Sequence, residues 1–161
     1  MAQLTYGHVE GPGKGREYPI AASQYFHRLG GKFVLINSAG NASLLGSLNT
    51  YVAGWMEAPR DEFSGLKNSW MSDTTAKADK GFVIYGLEDV FEMPANQTAA
   101  SVNATCVGHS AHPHNTGATY ALIQQCKIDP AAAASVLVIV DYDSVNKTVF
   151  VKMKPHTKQA V

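Results

Sequence analysis

The chain has 161 residues, of which 45% are hydrophobic and only 16% charged, and its thirteen basic and thirteen acidic side chains cancel. That length and composition fit one domain with a real core, and a neutral chain exerts little long-range attraction on nucleic acid or on an anionic membrane. So few charges give a free monomer modest colloidal protection, which suits life in an assembly as well as it suits a soluble domain with a polar, uncharged surface.

Residues 1–24 read as a flexible arm, because Gly7, Gly11, Gly13 and Gly15, with Pro12 and Pro19, punctuate them too often for a regular element. A short edge strand over residues 4–9 is the most that this stretch offers. It contains no apolar signal-peptide core, so synthesis in the cytosol is expected. Residues 32–37 read as a strand, with Gly30 and Gly31 turning the chain ahead of it. Residues 38–41 carry turn chemistry, and residues 42–48 suit either a short strand or one helical turn. Residues 50–57 form a further strand in which Gly54 marks a bulge or a close backbone approach, and Pro59 ends it.

Residues 60–80 form a long irregular loop, and loops of that length are usually functional or ordered by a partner. Its two large aromatics, Phe63 and Trp70, either pack inward, as such side chains usually do, or anchor an interface. Residues 81–93 give one bent strand or two short ones with Gly86 at the bend. A short helix is expected over residues 95–107, where Ala99, Val102 and Cys106 share a helical face. Residues 108–117 form a loop and residues 118–128 a strand. The β-branched run 135–141 and the run 148–153 then make a hairpin around a polar break. No apolar stretch approaches the roughly 20 residues that cross a bilayer.

Short strands separated by turns make the fold mainly β: a small β-barrel or β-sandwich with one or two short helices and an extended N-terminal arm. The expected organisation is the arm (1–24), a single β-rich domain (25–155) and a polar tail (156–161). Cys106 and Cys126 are expected reduced and buried as small hydrophobes. Whether they stand close enough to pair is not written in the sequence. Asn-x-Ser/Thr sequons at Asn41, Asn96, Asn103 and Asn146 have no meaning without a secretory route.

Four patterns invite a chemical reading. His109, His112 and His114 lie within six residues, and imidazole is the commonest metal-ligand side chain, but no acid or thiol completes a standard zinc spacing. A polar surface loop, at a subunit contact, is the plainer account of them. The stretch 11–15 (GPGKG) lacks the Ser or Thr, the preceding strand and the following helix of a phosphate loop. Cys106 with His109, or Ser110 with Asp129, sits in no nucleophile elbow. Asp141 and Asp143 lack the rest of a calcium loop and are explained as turn residues. The expectation is a protein without catalytic residues, metal or cofactor that works through its surfaces.

Residues 33–59 (FVLINSAGNASLLGSLNTYVAGWMEAP), 90–94 (VFEMP) and 138–154 (VIVDYDSVNKTVFVKMK) resemble, in the order of their strand and turn phrases, the capsid decoration proteins of tailed phages, also called cement or head-stabilising proteins. The resemblance implies a non-enzymatic virion protein, made in the host cytoplasm, that binds the outside of the icosahedral shell. There it would bridge neighbouring copies of the major capsid protein as a homodimer or homotrimer, with no nucleic-acid or membrane partner. It transfers no chemical residue to this chain. The contact residues expected are Leu4, Tyr6 and Val9 in the arm, where they could extend a capsid subunit's sheet edge, and Phe63 and Trp70 in the long loop. Another β-rich virion component, a tail or spike module, is the alternative, and a small metal-binding domain built on His109, His112 and His114 is a third.

Overall fold

The computed structural model describes residues 6–28, 30–45, 49–57, 69–96, 102–114, 124–129 and 135–159. Among these, the strands are β1 (Gly7–Glu10), β2 (Gly15–Pro19), β3 (Tyr25–His27), β4 (Lys32–Ile36), β5 (Ala42–Leu44), β6 (Gly54–Glu57), β7 (Ser69–Met71), β8 (Lys80–Ile84), β9 (Val90–Pro94), β10 (Ser110–His114), β11 (Gln125–Ile128), β12 (Leu137–Asp143) and β13 (Thr148–Met153). The protein is mainly β. A six-stranded sheet has the order β1-β9-β13-β12-β10-β11, a five-stranded sheet the order β2-β8-β6-β4-β5, and β3 with β7 makes a two-stranded ribbon. The large sheet curls into a half-barrel until Ala95, just past β9, bridges Cys126 in β11, and Asn96 N–H donates to Cys126 O (2.8 Å).

The layering explains why Phe33, Val34, Leu35 and Ile36 of β4 form an unbroken apolar run: both faces of the strand are covered. Phe33 and Leu35 face the six-stranded sheet and join the main core, while Val34 and Ile36 face the ribbon side and pack with Phe26, Met56, Val83 and Trp70. Strand β6 divides in the same way, Trp55 to one core and Met56 to the other. Period-two alternation is thus satisfied twice, and every residue of these strands can be apolar. The main core centres on three rings: Phe33 and Trp55 meet edge-on at 5.0 Å, Phe33 and Phe91 at 5.3 Å, and Trp55 stacks on Phe91 at 5.5 Å. Such pairs add about 0.5–1.5 kcal/mol each beyond their burial. Gly54 does mark a close backbone approach, since a Cβ there would stand 2.3 Å from Ile84 O.

Several expectations change. Residues 6–20 are not an arm: β1 pairs with β9 and β2 with β8, so this stretch supplies an edge strand to each sheet. Its glycines punctuate the crossing from one sheet to the other and do not mark flexibility. Residues 156–159 are no free tail either. Thr157 is buried, Val52 N–H donates to Thr157 O (3.0 Å), and the Gln159 amide pairs with both backbone groups of Ile36 (2.8 and 2.7 Å). The loop expected at 108–117 contains β10, and the loop expected at 60–80 contains β7. Of the helix expected at 95–107, the described residues show Ala95 bridging Cys126 and a 3-10 turn, Ala104–Cys106, capped by Asn103. Residues 42–44 are strand, and the hairpin stands as expected, spanning β12 and β13.

Two turns cross between the sheets at one place, the β1–β2 turn and the β8–β9 turn. Asp89, fully buried, ties them together: its Oδ1 accepts from Gly13 N–H (2.8 Å) and lies 2.9 Å from His8 Nε2. A Cβ on Gly11 would stand 2.4 Å from Oδ1, and one on Gly86 2.2 Å from Oδ2, so both positions demand glycine. Asp89→Ala strands the Gly13 amide and His8 and is expected to lower the unfolding free energy by roughly 1–3 kcal/mol, the usual cost of leaving a hydrogen-bonding group inside the protein without its partner. A urea midpoint shift at unchanged slope would measure it; a midpoint like that of the unmodified protein would show that the carboxylate is not the tie.

Candidate docking surface

The outer face of the six-stranded sheet carries a groove of about 520 Å³ lined by Val9, Glu10, Val90, Val140, Asp141, Phe150 and Lys152. These residues come from β1, β9, β13 and β12, which are neighbours in that order, so the groove runs across the strands. Two β-bulges build its ends. In β1 the register to β9 slips between His8 and Glu10, and in β12 the register to β13 slips between Ile139 and Asp141. The extra residues are Val9 and Val140, 47% and 36% exposed. A bulge re-aims one side chain against the pleat, and here both aim a valine into the same groove. Phe150, opposite both Glu92 and Asp141, lies between them.

The rim is charged. Lys152 Nζ lies 3.6 Å from Glu88 Oε2. Glu10 and Asp141 make no ion pair among the described residues, and the one contact shown for the Asp141 carboxylate is its neighbour's amide, Tyr142 N–H to Oδ1 (2.8 Å). The groove therefore offers an apolar floor with two carboxylates and one lysine on its lining, and the lysine stands near Glu88 outside it.

Of the contact residues expected from sequence, Val9 belongs to this groove. Tyr6 is half-buried and bridges Gly30, with its phenol pushed up by burial and then by Glu92. Trp70 packs on Phe26 at 5.8 Å as part of the ribbon-side core, so of the two readings for it the inward one holds. Leu4 and Phe63 lie outside the described residues. Val140 and Phe150 were not expected, yet the sequence holds their signal. Strict alternation through β12 would put Leu137, Ile139, Asp141 and Asp143 on one face. Burying two carboxylates is unfavourable, and a slip of one residue after Ile139 turns Tyr142 inward instead, where it packs against the core.

The other patterns resolve into structure. His112 and His114 alternate along β10 with buried Ala111 and Pro113, while His109 precedes the strand. His112 is paired across from Lys127, a cation where a metal ion would have to approach, and no cluster of three metal-ligating side chains occurs among the described residues. In the stretch 11–15, the Gly13 amide is already taken by the Asp89 carboxylate. Asp143 accepts from Val145 N–H (2.9 Å), Asn146 N–H (3.0 Å) and Asn146 Nδ2 (2.7 Å), closing the hairpin turn; the Asn146 bonds, backbone first, hold its carboxyl below the usual range. Ser110 Oγ accepts from Lys154 Nζ (2.6 Å). Cys106 and Cys126 are free thiols buried in the main core. No protein-family model, curated protein or solved structure matches this chain, and no described helix is long and apolar enough to cross a membrane.

Burial, then Lys127, lowers the pKa of His112, with Asp129 opposing and His114 adding to the fall. The unfolded chain therefore binds a proton at this residue before the folded one does. The sign follows: stability falls as pH drops through the window below about 6.5. His112→Gln is expected to flatten the dependence of the unfolding midpoint on pH between about 7 and 5, and an unchanged slope would exclude His112 as a source. Burial, reinforced by Cys106, pushes the Cys126 thiol up to about 12. Thiol reagents at neutral pH are thus expected to leave both cysteines unmodified in the native protein and to label both in urea, as read by intact mass. Fast labelling of the native protein would contradict the burial.

Proposed function

We propose that this protein is a virion structural protein that binds the outer surface of a tailed-phage capsid and stabilises the expanded shell by bridging neighbouring major capsid subunits. The observation that carries the reading is the bulge-built groove, an apolar seat with an acidic rim on the open face of a stiff sheet. It gives a low-charge chain a place suited to a protein contact. The phrases that resemble decoration proteins supply strands β4, β5, β6, β9, β12 and β13, which form the core and present that face. A second contact between copies of the chain would make it a homodimer or homotrimer on the shell.

The action is mass action. A ligand that binds only the expanded lattice stabilises it by its binding free energy, and attachment at more than one point multiplies a weak single contact. Interfaces of this kind need no catalytic group, metal or cofactor, and neither nucleic acid nor membrane is a partner in this reading. The protein is made in the host cytoplasm and ends on the outside of the particle.

Co-sedimentation of the purified chain with undecorated heads, expanded and unexpanded in parallel, tests the reading. Saturable binding to expanded heads alone is expected. Binding to neither form would overturn it, and equal binding to both would remove the stabilising role.

A further inference from the structure

We infer that the groove between Val9 and Val140 seats one extended segment of the major capsid subunit, an apolar side chain flanked by lysine or arginine. This deepens the capsid reading and rests on it. Three observations lead here.

The first is construction. Each bulge gives up regular pairing in an otherwise continuous ladder, and the two bulged strands are far apart in sequence and separated by β9 and β13 in the sheet. Two irregularities that independently turn a valine outward to one groove around Phe150 mark a surface shaped for contact.

The second is span. From β1 to β12 is three inter-strand spacings, roughly 14 Å, which about four extended residues cover. The occupant is therefore a short extended stretch lying across the strands, with its apolar side chain on Phe150 between the two valines.

The third is charge. Glu10 and Asp141 lie on the rim without an ion pair among the described residues, while Lys152 is drawn toward Glu88 (3.6 Å). A cation on either side of the apolar anchor meets one of the two carboxylates, which stand on opposite ends of the groove, and an acidic segment or a nucleic-acid backbone is repelled. The most exposed large apolar side chain among the described residues, Val145, is followed by Asn146 and Lys147 and has similar chemistry. Asp143, however, holds that tip in a tight turn, which presents one side chain and cannot lie extended across four strands.

The test is binding to expanded heads, measured for the unmodified chain, for Val140→Glu, for the pair Glu10→Gln with Asp141→Asn, and for Val145→Asp. Circular dichroism and the melting temperature report folding, and sedimentation reports self-association. Val140→Glu is expected to weaken binding at least about tenfold by placing a charge on the apolar floor. The double amide variant is expected to weaken it about three- to tenfold and to flatten its salt dependence. If Val140→Glu does not fold, the double variant, whose changes lie on the exposed rim, decides alone. Tight binding by the unmodified chain and equally tight binding by both groove variants would overturn the inference and leave the capsid reading standing. No binding by the unmodified chain would overturn both. Self-association that disappears in Val140→Glu and Val145→Asp, with head binding retained, would assign the groove to a second copy and likewise overturn the inference.

Discussion

The geometry of this protein depends on one buried carboxylate. Asp89 sits where the chain passes from each sheet to the other, and it is bonded to Gly13 and His8 on the first crossing while standing on the second. A buried carboxylate is costly unless donors meet it. Here Oδ1 meets His8 Nε2 of β1 and the Gly13 amide of the β1–β2 turn, while Oδ2 is buried without a hydrogen-bond partner among the described residues. Because the tie is short and stereospecific, it fixes how the edge strands β1 and β2 enter their sheets. The placement of β1 in turn creates one end of the groove.

The opposite side of the molecule is held by side-chain amides. Gln124, buried, accepts from Phe33 N–H (2.8 Å) and donates to Leu45 O (3.3 Å), linking the chain just ahead of β11 to the far edge of the five-stranded sheet. Gln159 performs the same service for Ile36. An amide that both donates and accepts copies a strand partner, so each glutamine extends a ladder where no strand is available. The aromatic trio of Phe33, Trp55 and Phe91 fills the space between these two sides. Directional bonds thus locate the sheets, and apolar packing supplies most of the stabilisation. The outward face of the large sheet is left free to carry a contact surface.

Much of the fold was legible because strands announce themselves by alternation. The hairpin of β12 and β13 and the strands β4, β6, β8 and β9 all follow from β-branched and aromatic runs bounded by turn residues. What failed did so for identifiable reasons. The segment 6–20 is rich in glycine and proline, and local propensity reads these as a loop. In the structure, contact with Asp89 and pairing to β8 and β9 override propensity, as tertiary context does in sheets. Strand β10 (SAHPH) carries histidines and a proline and has no strand signature of its own, so it depends on pairing with β11 and β12. Of the contact surface, Val9 was legible as an apolar residue near the N-terminus. Val140 and Phe150 required knowing where the pleat slips.

By itself, then, the sequence determined a mainly β domain without net charge, the main hairpin and the apolar strands of its core. These depend on neighbours in the chain, on side-chain period and on composition, which are local quantities. Tertiary structure alone decided which strands share a sheet, that residues 6–20 serve both sheets, and that two bulges in strands separated by two others open onto one groove. Those facts depend on which distant residues meet, such as Asp89 with Gly13 and Phe150 with Asp141, and on a one-residue change of register that reverses the face of every side chain after it.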